Sequence, residues 1–152
     1  MSDSELSDLD KLRALSFREL RYLCVSALTL PMVALLLKFR GFRHTEKLLS
    51  RFSRSAREDE ANAARVDELA RMVSVAANRG LYRAQCLPQA ISLWWMLGVM
   101  GIASTVRFGI YKTADGVMAH AWVLYNDEVV IGELAELDDY TPLLDVNIER
   151  PE

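Results

Sequence analysis

The chain has 152 residues, enough for one domain with its own hydrophobic core. Apolar residues make up 51% and charged residues 26%, which excludes a disordered chain, and a net charge of −3 gives no reason to expect a nucleic acid as partner. The two cysteines, Cys24 and Cys86, lie in different settings and no secretory signal precedes them. We therefore expect no disulfide, no metal, no cofactor and a cytoplasmic location.

The front of the chain is predicted to be helical. Residues 1–10 are polar and acidic and are expected to fray. A helix is expected from about Leu9 or from Ser16, where Ser16 followed by Glu19 is a capping-box pattern. The stretch from Tyr22 to Leu37 holds 16 residues without a formal charge. That is short of the roughly 20 residues that a bilayer requires. We predict two core helices broken near Pro31 rather than a membrane span.

A third interpretation of the stretch from Tyr22 to Leu37 is an apolar surface with a basic edge at Lys38, Arg40 and Arg43. Such a surface would contact a partner protein or the membrane interface. Membrane contact is not our first expectation.

Two further helices are predicted before the middle of the chain. Gly41 closes the apolar segment, and a short helix with a basic face follows from His44 to Arg54, with His44 at the surface. Glu58 to Asn78 has an amphipathic pattern, and Gly80 is the expected left-handed cap at its end.

Cys86 stands just before an apolar run that should form the central helix. Pro88 suits a first helical turn, and Leu93, Trp94 and Leu97 recur at helical spacing. Main-chain N–H groups and the helix dipole favour a thiolate at such a position. The alternative is that Cys86 is an inert, buried hydrophobic residue.

After the central helix, the spacing of apolar residues changes from helical to the alternation that is typical of strands. We predict three antiparallel strands at 103–111, 117–125 and 128–131, with a tight turn at Asn126-Asp127 between the last two. The fold class is therefore α+β: a helical N-terminal part, then a core in which the central helix packs on a small antiparallel sheet. We expect a single domain over 1–152, with the helical part at 1–57 and the core at 58–152.

A helix-initial cysteine, a histidine on a strand and an acid after the next strand are the groups that a thiol nucleophile needs. His120 would take the thiol proton, and an acid would fix its tautomer. Glu133 follows the third strand and ranks first for the acid, while Asp127 lies at the turn and Asp138 lies past the strand. Taken alone, His120 would be interpreted as a core histidine and Glu133 as a solvated strand end.

Three segments, Arg83–Ala90, Arg107–Ile110 and Ala119–Val123, resemble the leader peptidase of lasso-peptide biosynthesis in its stand-alone form. The resemblance implies a cysteine protease with a transglutaminase-like, distantly papain-like core. By position it makes Cys86 the nucleophile and His120 the base. That family typically has an Asp beyond the third strand, where the nearest match here is Glu133.

The resemblance also implies a task and partners. The peptidase removes the leader from a ribosomally made lasso precursor peptide, and a macrolactam synthetase then closes the ring. A separate leader-recognition protein is expected, since the front of this chain is apolar helix. The alternatives are another transglutaminase-like acyl-transfer enzyme or amidase, and a non-catalytic peptide-binding protein on the same fold.

Overall fold

The structure is a computed structural model that describes residues 10–57, 59–80, 83–135 and 137–147. A short helical segment at residues 10–13 and three longer helices precede four strands, and a 3-10 helix (Leu137–Asp139) precedes the last strand. The helices are α1 (Phe17–Ser50), α2 (Asn62–Arg79) and α3 (Cys86–Val99). The strands are β1 (Thr105–Thr113), β2 (Gly116–Tyr125), β3 (Glu128–Ile131) and β4 (Thr141–Asn147). The predicted α+β class is confirmed; the expected fraying of residues 1–10 falls almost wholly outside the described residues.

Helix α1 begins at the predicted capping box. The Ser16 side chain accepts from the Glu19 N–H, and the Glu19 carboxylate accepts from the Ser16 N–H. The break predicted near Pro31 is wrong, because the helix continues through Pro31. The interruption lies at Gly41, where φ is +72° and ψ is 173°, a conformation that glycine adopts without a Cβ penalty. The ring of Pro31 removes one hydrogen bond, and packing of the flanking turns on the domain keeps them helical.

Helix α2 begins four residues later than predicted and ends at Arg79. Gly80 follows it, but not as a left-handed cap, since its φ is −75° and its backbone is extended. A glycine is nevertheless required there. A Cβ on Gly80 would lie 2.3 Å from the carbonyl oxygen of Ala76, which is the acceptor of the Gly80 N–H.

Helix α3 is the centre of the core, as its composition predicts. Leu93, Trp94 and Leu97 are completely buried, and the helix contacts α1, α2, β1 and β2. An apolar helix that is covered on all sides gains its stability from burial rather than from its caps. Its N-terminus is consequently held in a fixed position against the sheet.

The sheet has the order β3-β2-β1-β4 and is antiparallel throughout. The predicted three-stranded meander is present, with the Asn126-Asp127 turn at positive φ. Strand β4 was not predicted. It pairs with β1 at the sheet edge, where Pro142 can be tolerated because one side of an edge strand needs no donor.

The two faces of the sheet have different neighbours. Val106, Ala121 and Val123 belong to the main core with the helices, whereas Trp122 and Leu124 form a second cluster with Tyr140. Successive side chains of a strand point to opposite faces. Trp122 and Tyr140 therefore lie on the face of the sheet that is turned away from α3.

Candidate active site

Cys86 is the first residue of α3, as the sequence predicts. Gln85 is the N-cap in an extended conformation, and its side chain makes no capping hydrogen bond. The N–H groups of Cys86 and Leu87 therefore have no acceptor within the helix, and Pro88 has no N–H to contribute. Cys86 is half-buried and unoxidised. The thiol thus lies beside main-chain donors that can stabilise negative charge.

His120 lies on β2, opposite Gly109 of β1. Its ring is half-buried and stacks on Trp122, with ring centroids 6.0 Å apart and an interplanar angle of 20°. The Tyr140 ring lies 5.8 Å from it on another side. Two aromatic residues therefore fix the plane of the imidazole.

The Nε2 atom of His120 lies 2.7 Å from the main-chain carbonyl oxygen of Gly132. A carbonyl only accepts, so Nε2 carries the proton in this contact and Nδ1 of a neutral ring is left as an acceptor. Gly132 can bring its carbonyl there because its φ is +85°. A Cβ on Gly132 would lie 2.9 Å from both the Ala121 carbonyl oxygen and the Trp122 Cβ.

One cleft of about 500 Å³ contains the predicted nucleophile, base and acid. Cys86 lines it from the start of α3, and Ser74 and Asn78 line it from α2. His120 and Glu133 line it from the sheet side. The complete lining is Ser74, Asn78, Cys86, Gln89, His120, Val129, Val130, Ile131, Gly132, Glu133 and Leu134.

Cys86 and His120 share the cleft without being paired. Within the part of the chain that the structure describes, no hydrogen bond joins the Cys86 thiol to the His120 ring. The ring is engaged by the Gly132 carbonyl and by the aromatic cluster on the outer face of the sheet. Both residues thus line one cleft, but the His120 ring lies with Trp122 on the outer face of the sheet, turned away from α3, and the ion pair with Cys86 is not assembled.

None of the three acids considered for the third position is hydrogen-bonded to His120 in the described ranges. Glu133 adjoins Gly132 and lines the cleft, with an exposed side chain. Asp127 lies at the β2–β3 turn, at the opposite end of β3 from Gly132 and His120. Five residues separate Asp127 from Gly132, which is roughly 17 Å at strand spacing. Asp138 lies exposed in the 3-10 helix. A main-chain carbonyl occupies the place where the sequence predicts a carboxylate.

The aromatic support of His120 was missed by sequence reasoning. Trp122 has a local signal, since it lies two residues after His120 and strand alternation puts both on one face. Tyr140 has none, because it reaches the ring only through the turn after the 3-10 helix. The contribution of Gly132 has no signature in sequence, because it is made by a main-chain carbonyl.

Gln89 secures the loop in front of the nucleophile. Its amide Nε2 donates to the carbonyl oxygen of Ala84 at 2.8 Å. This bond ties the first turn of α3 to the segment that leads into Cys86, and it keeps the Gln89 side chain at the wall of the cleft.

A charge pair on the sheet, joined by two hydrogen bonds, lies outside the cleft. Arg107 of β1 donates from Nε and Nη2 to the two carboxylate oxygens of Asp145 on β4, at 2.8 and 2.7 Å. These hydrogen bonds lower the pKa of Asp145 and raise that of Arg107. The pair fixes the register of β4 against β1.

The comparisons with known proteins agree with this architecture. The family-level sequence profile of the transglutaminase-like superfamily matches residues 29–145, which is more than half of the chain. The chain therefore belongs to the transglutaminase-like superfamily, a family that is typically one of cysteine proteases and acyltransferases. Searches of curated proteins and of solved structures give no match.

Proposed function

We propose that this chain is a cysteine peptidase that removes the leader from a ribosomally synthesised lasso-peptide precursor before macrolactam closure. The observation that carries the proposal is the cleft in which the helix-initial Cys86 and the strand residue His120 both lie. The sequence resemblance to lasso-peptide leader peptidases supplies the substrate.

The proposed chemistry follows from the groups in the cleft. The Cys86 sulfur attacks the scissile carbonyl carbon, and His120 takes the thiol proton and passes it to the leaving amine. The N–H groups at the start of α3 stabilise the oxyanion of the tetrahedral intermediate. Water then attacks the thioester, which releases the leader as an acid and restores the thiol.

His120 must approach Cys86 for the first proton transfer. With Nε2 donating to the Gly132 carbonyl, Nδ1 is the nitrogen that can accept the thiol proton. Catalytic hydrogen bonds are often long or poorly aligned in a free enzyme and tighten when substrate binds. In this account Gly132 serves as an orienting group in the place that the sequence gives to Glu133.

A peptide substrate suits the outer wall of this cleft. Strand β3 is an edge strand, and Val129, Val130 and Ile131 line the cleft. The outward backbone groups of an edge strand have no strand partner and can pair with an extended peptide. A leader segment that crosses β3 would bring its scissile bond towards Cys86.

The proposed partners are the precursor peptide, a separate leader-recognition protein and a macrolactam synthetase. The test is incubation of the purified chain with a synthetic precursor, with and without a recognition protein encoded beside it, followed by mass spectrometry. Separate leader and core peptides are expected. An amine adduct in place of the free acid would instead indicate transglutamination, and an unchanged precursor in both reactions would contradict the proposal.

A further inference from the structure

Helix α1 has an outer face that no part of the described chain covers. Val25, Leu28, Met32, Leu35 and Phe39 follow one another at spacings of three and four residues, which places them in a single stripe along the helix. Leu28 and Phe39 are each 75% exposed. We call these five residues the outer stripe; at 1.5 Å per residue it is about 21 Å long.

Helix α1 is apolar on its outer side as well as on the side packed on the domain. The packed side buries Leu30 and Val33 together with Tyr22, Ser26 and Thr29, which carry hydroxyls. The Ser26 hydroxyl meets the sulfur of Met96 at 3.9 Å, and the Thr29 hydroxyl donates to a carbonyl of its own helix. The outer stripe carries no hydroxyl, amide or charge. A contiguous exposed stripe of this kind is typical of an interaction surface rather than of a surface that faces water.

The helix is apolar enough for a lipid environment by composition. An 18-residue window of α1 has a mean hydropathy of 1.9, and only 28% of that window is buried. The predicted core packing therefore describes the inner side of α1, and the outer side is the exposed apolar surface of our third interpretation. A span across the membrane would require the buried side, which packs on α2 and α3, to leave the domain. With its inner side packed on the domain, α1 could contact a membrane only by lying along its surface.

The charge of α1 indicates which kind of surface the outer stripe would contact. Helix α1 carries six Lys and Arg residues and two Glu, a net charge of +4, although the whole chain has −3. Arg21 precedes the outer stripe, while Lys38, Arg40 and Arg43 adjoin its other end, and all four are exposed. A chain with a net negative charge thus has basic residues at both ends of this exposed apolar stripe.

We propose that the outer stripe docks on an anionic lipid bilayer, with α1 lying in the interface and its basic ends against the headgroups. Interfacial helices have this anatomy of an aliphatic and aromatic face with Lys and Arg at its edge. A protein partner would be expected to meet polar groups too, since interfaces carry about one hydrogen bond per 100 to 200 Å². The stripe offers none.

The experiment is flotation of the Cys86→Ala chain with phosphatidylcholine vesicles, with and without a quarter of phosphatidylglycerol. Using an inactive variant without peptide separates this test from the proposed peptidase. The expected result is strong flotation with the anionic vesicles that falls with added salt. No flotation with the anionic vesicles would overturn the proposal.

Two sets of substitutions localise the contact. Leu28→Ser with Leu35→Ser should weaken binding at least about tenfold, because two aliphatic side chains no longer enter the lipid. The control is Val117→Ser with Leu143→Ser, two residues equally exposed at 62% on the sheet, which should bind as the parent does. Equal loss in both double variants would overturn the assignment to α1.

The triple change of Lys38, Arg40 and Arg43 to Gln should weaken binding to anionic vesicles roughly a hundredfold and leave the weak binding to neutral vesicles unchanged. Sedimentation of the chain in vesicle-free buffer, alone and with the recognition protein, tests whether a protein rather than lipid covers the outer stripe. A dimer that Leu28→Ser with Leu35→Ser dissociates, or a complex with the recognition protein that the same change abolishes, would assign the stripe to a protein and contradict lipid docking.

Discussion

The His120 ring nitrogen Nε2 is bound to the main-chain carbonyl of Gly132, at 2.7 Å, and not to a side-chain carboxylate. A carbonyl can hold an imidazole in one tautomer without adding a negative charge to the site. The strand end therefore supplies the orienting group through its backbone. This relationship determines which substitutions around the cleft should be damaging and which should be mild.

Glu133→Gln should reduce kcat/KM for precursor cleavage by no more than about threefold, a difference of under 1 kcal/mol in transition-state stabilisation. The Glu133 carboxylate makes no hydrogen bond to any described residue, and the amide keeps its size. His120→Ala should lower the same constant by at least about a thousandfold, because the base is lost. If Glu133→Gln were as damaging as His120→Ala, the carboxylate and not the carbonyl would be the orienting group. The same comparison with Asp127→Asn and Asp138→Asn tests the other two acids.

Gly132→Ala should both destabilise the protein and impair cleavage. The substitution adds left-handed strain and a Cβ 2.9 Å from two neighbouring atoms, so we expect a loss of about 2 to 4 kcal/mol in the free energy of unfolding. Gly41→Ala is the matched control. Gly41 also has a positive φ but has nothing within 4 Å, so Ala there should cost about 1 to 3 kcal/mol from backbone strain alone and leave cleavage unchanged. Urea denaturation and precursor cleavage measure the two effects; full cleavage by Gly132→Ala, or impaired cleavage by a folded Gly41→Ala, would contradict the role of the contact at Gly132.

Tyr140→Phe should retain nearly full activity, whereas Tyr140→Ala should not. The ring of Tyr140 contacts the rings of His120 and Trp122, and no described residue hydrogen-bonds its hydroxyl. Removing the ring opens a cavity of the kind that costs about 3 kcal/mol and frees the imidazole to turn. Activity is measured at a temperature where circular dichroism shows both variants folded. A large defect in Tyr140→Phe would mean that the hydroxyl, not the ring, supports His120.

Asp145→Asn should lower the free energy of unfolding by up to about 1 kcal/mol at neutral pH. Both side chains are about a third exposed, so solvent screening limits the value of this two-bond pair. The pKa of Asp145 is lowered in the folded protein by the Arg107 hydrogen bonds. Its stabilisation is therefore fully present above the unfolded value of about 3.9 and is lost as pH falls through the folded value. Denaturation of both proteins between neutral and acidic pH should show the difference vanish in acid, and a difference that persisted there would contradict the assignment.

The sequence predicted the elements that local chemistry determines. The capping box of α1, the start of α3 at Cys86 and the turn at Asn126-Asp127 each depend on residues close together in the chain, and all three are confirmed. Strand β4 could not be predicted in this way, because Pro142 and its exposed neighbours have no strand pattern and the strand exists only through pairing with β1.

Pro31 and the surroundings of His120 are two places where local sequence did not predict the structure. Pro31 predicts a helix break, but packing against the domain overrides that preference. The interruption lies only at Gly41, where the sequence predicts the end of the apolar segment. Likewise His120 could be identified as a candidate base, while its contacts with Tyr140 and the Gly132 carbonyl arise from segments that only the folded sheet brings together. The absence of a hydrogen bond between Cys86 and His120 in the described residues also depends on the folded sheet and could not be predicted from the sequence.

The central claim is that Cys86 is the nucleophile of a peptide-cleaving enzyme. The most direct measurement is mass spectrometry of a synthetic lasso precursor incubated with the wild-type chain, with Cys86→Ala and with Cys24→Ala, each in the presence of the recognition protein. Cys24 is exposed on α1, away from the cleft, and serves as the matched control. We expect leader and core products from the wild-type chain and Cys24→Ala, and intact precursor with a folded Cys86→Ala. Cleavage by Cys86→Ala at the wild-type rate would contradict the claim.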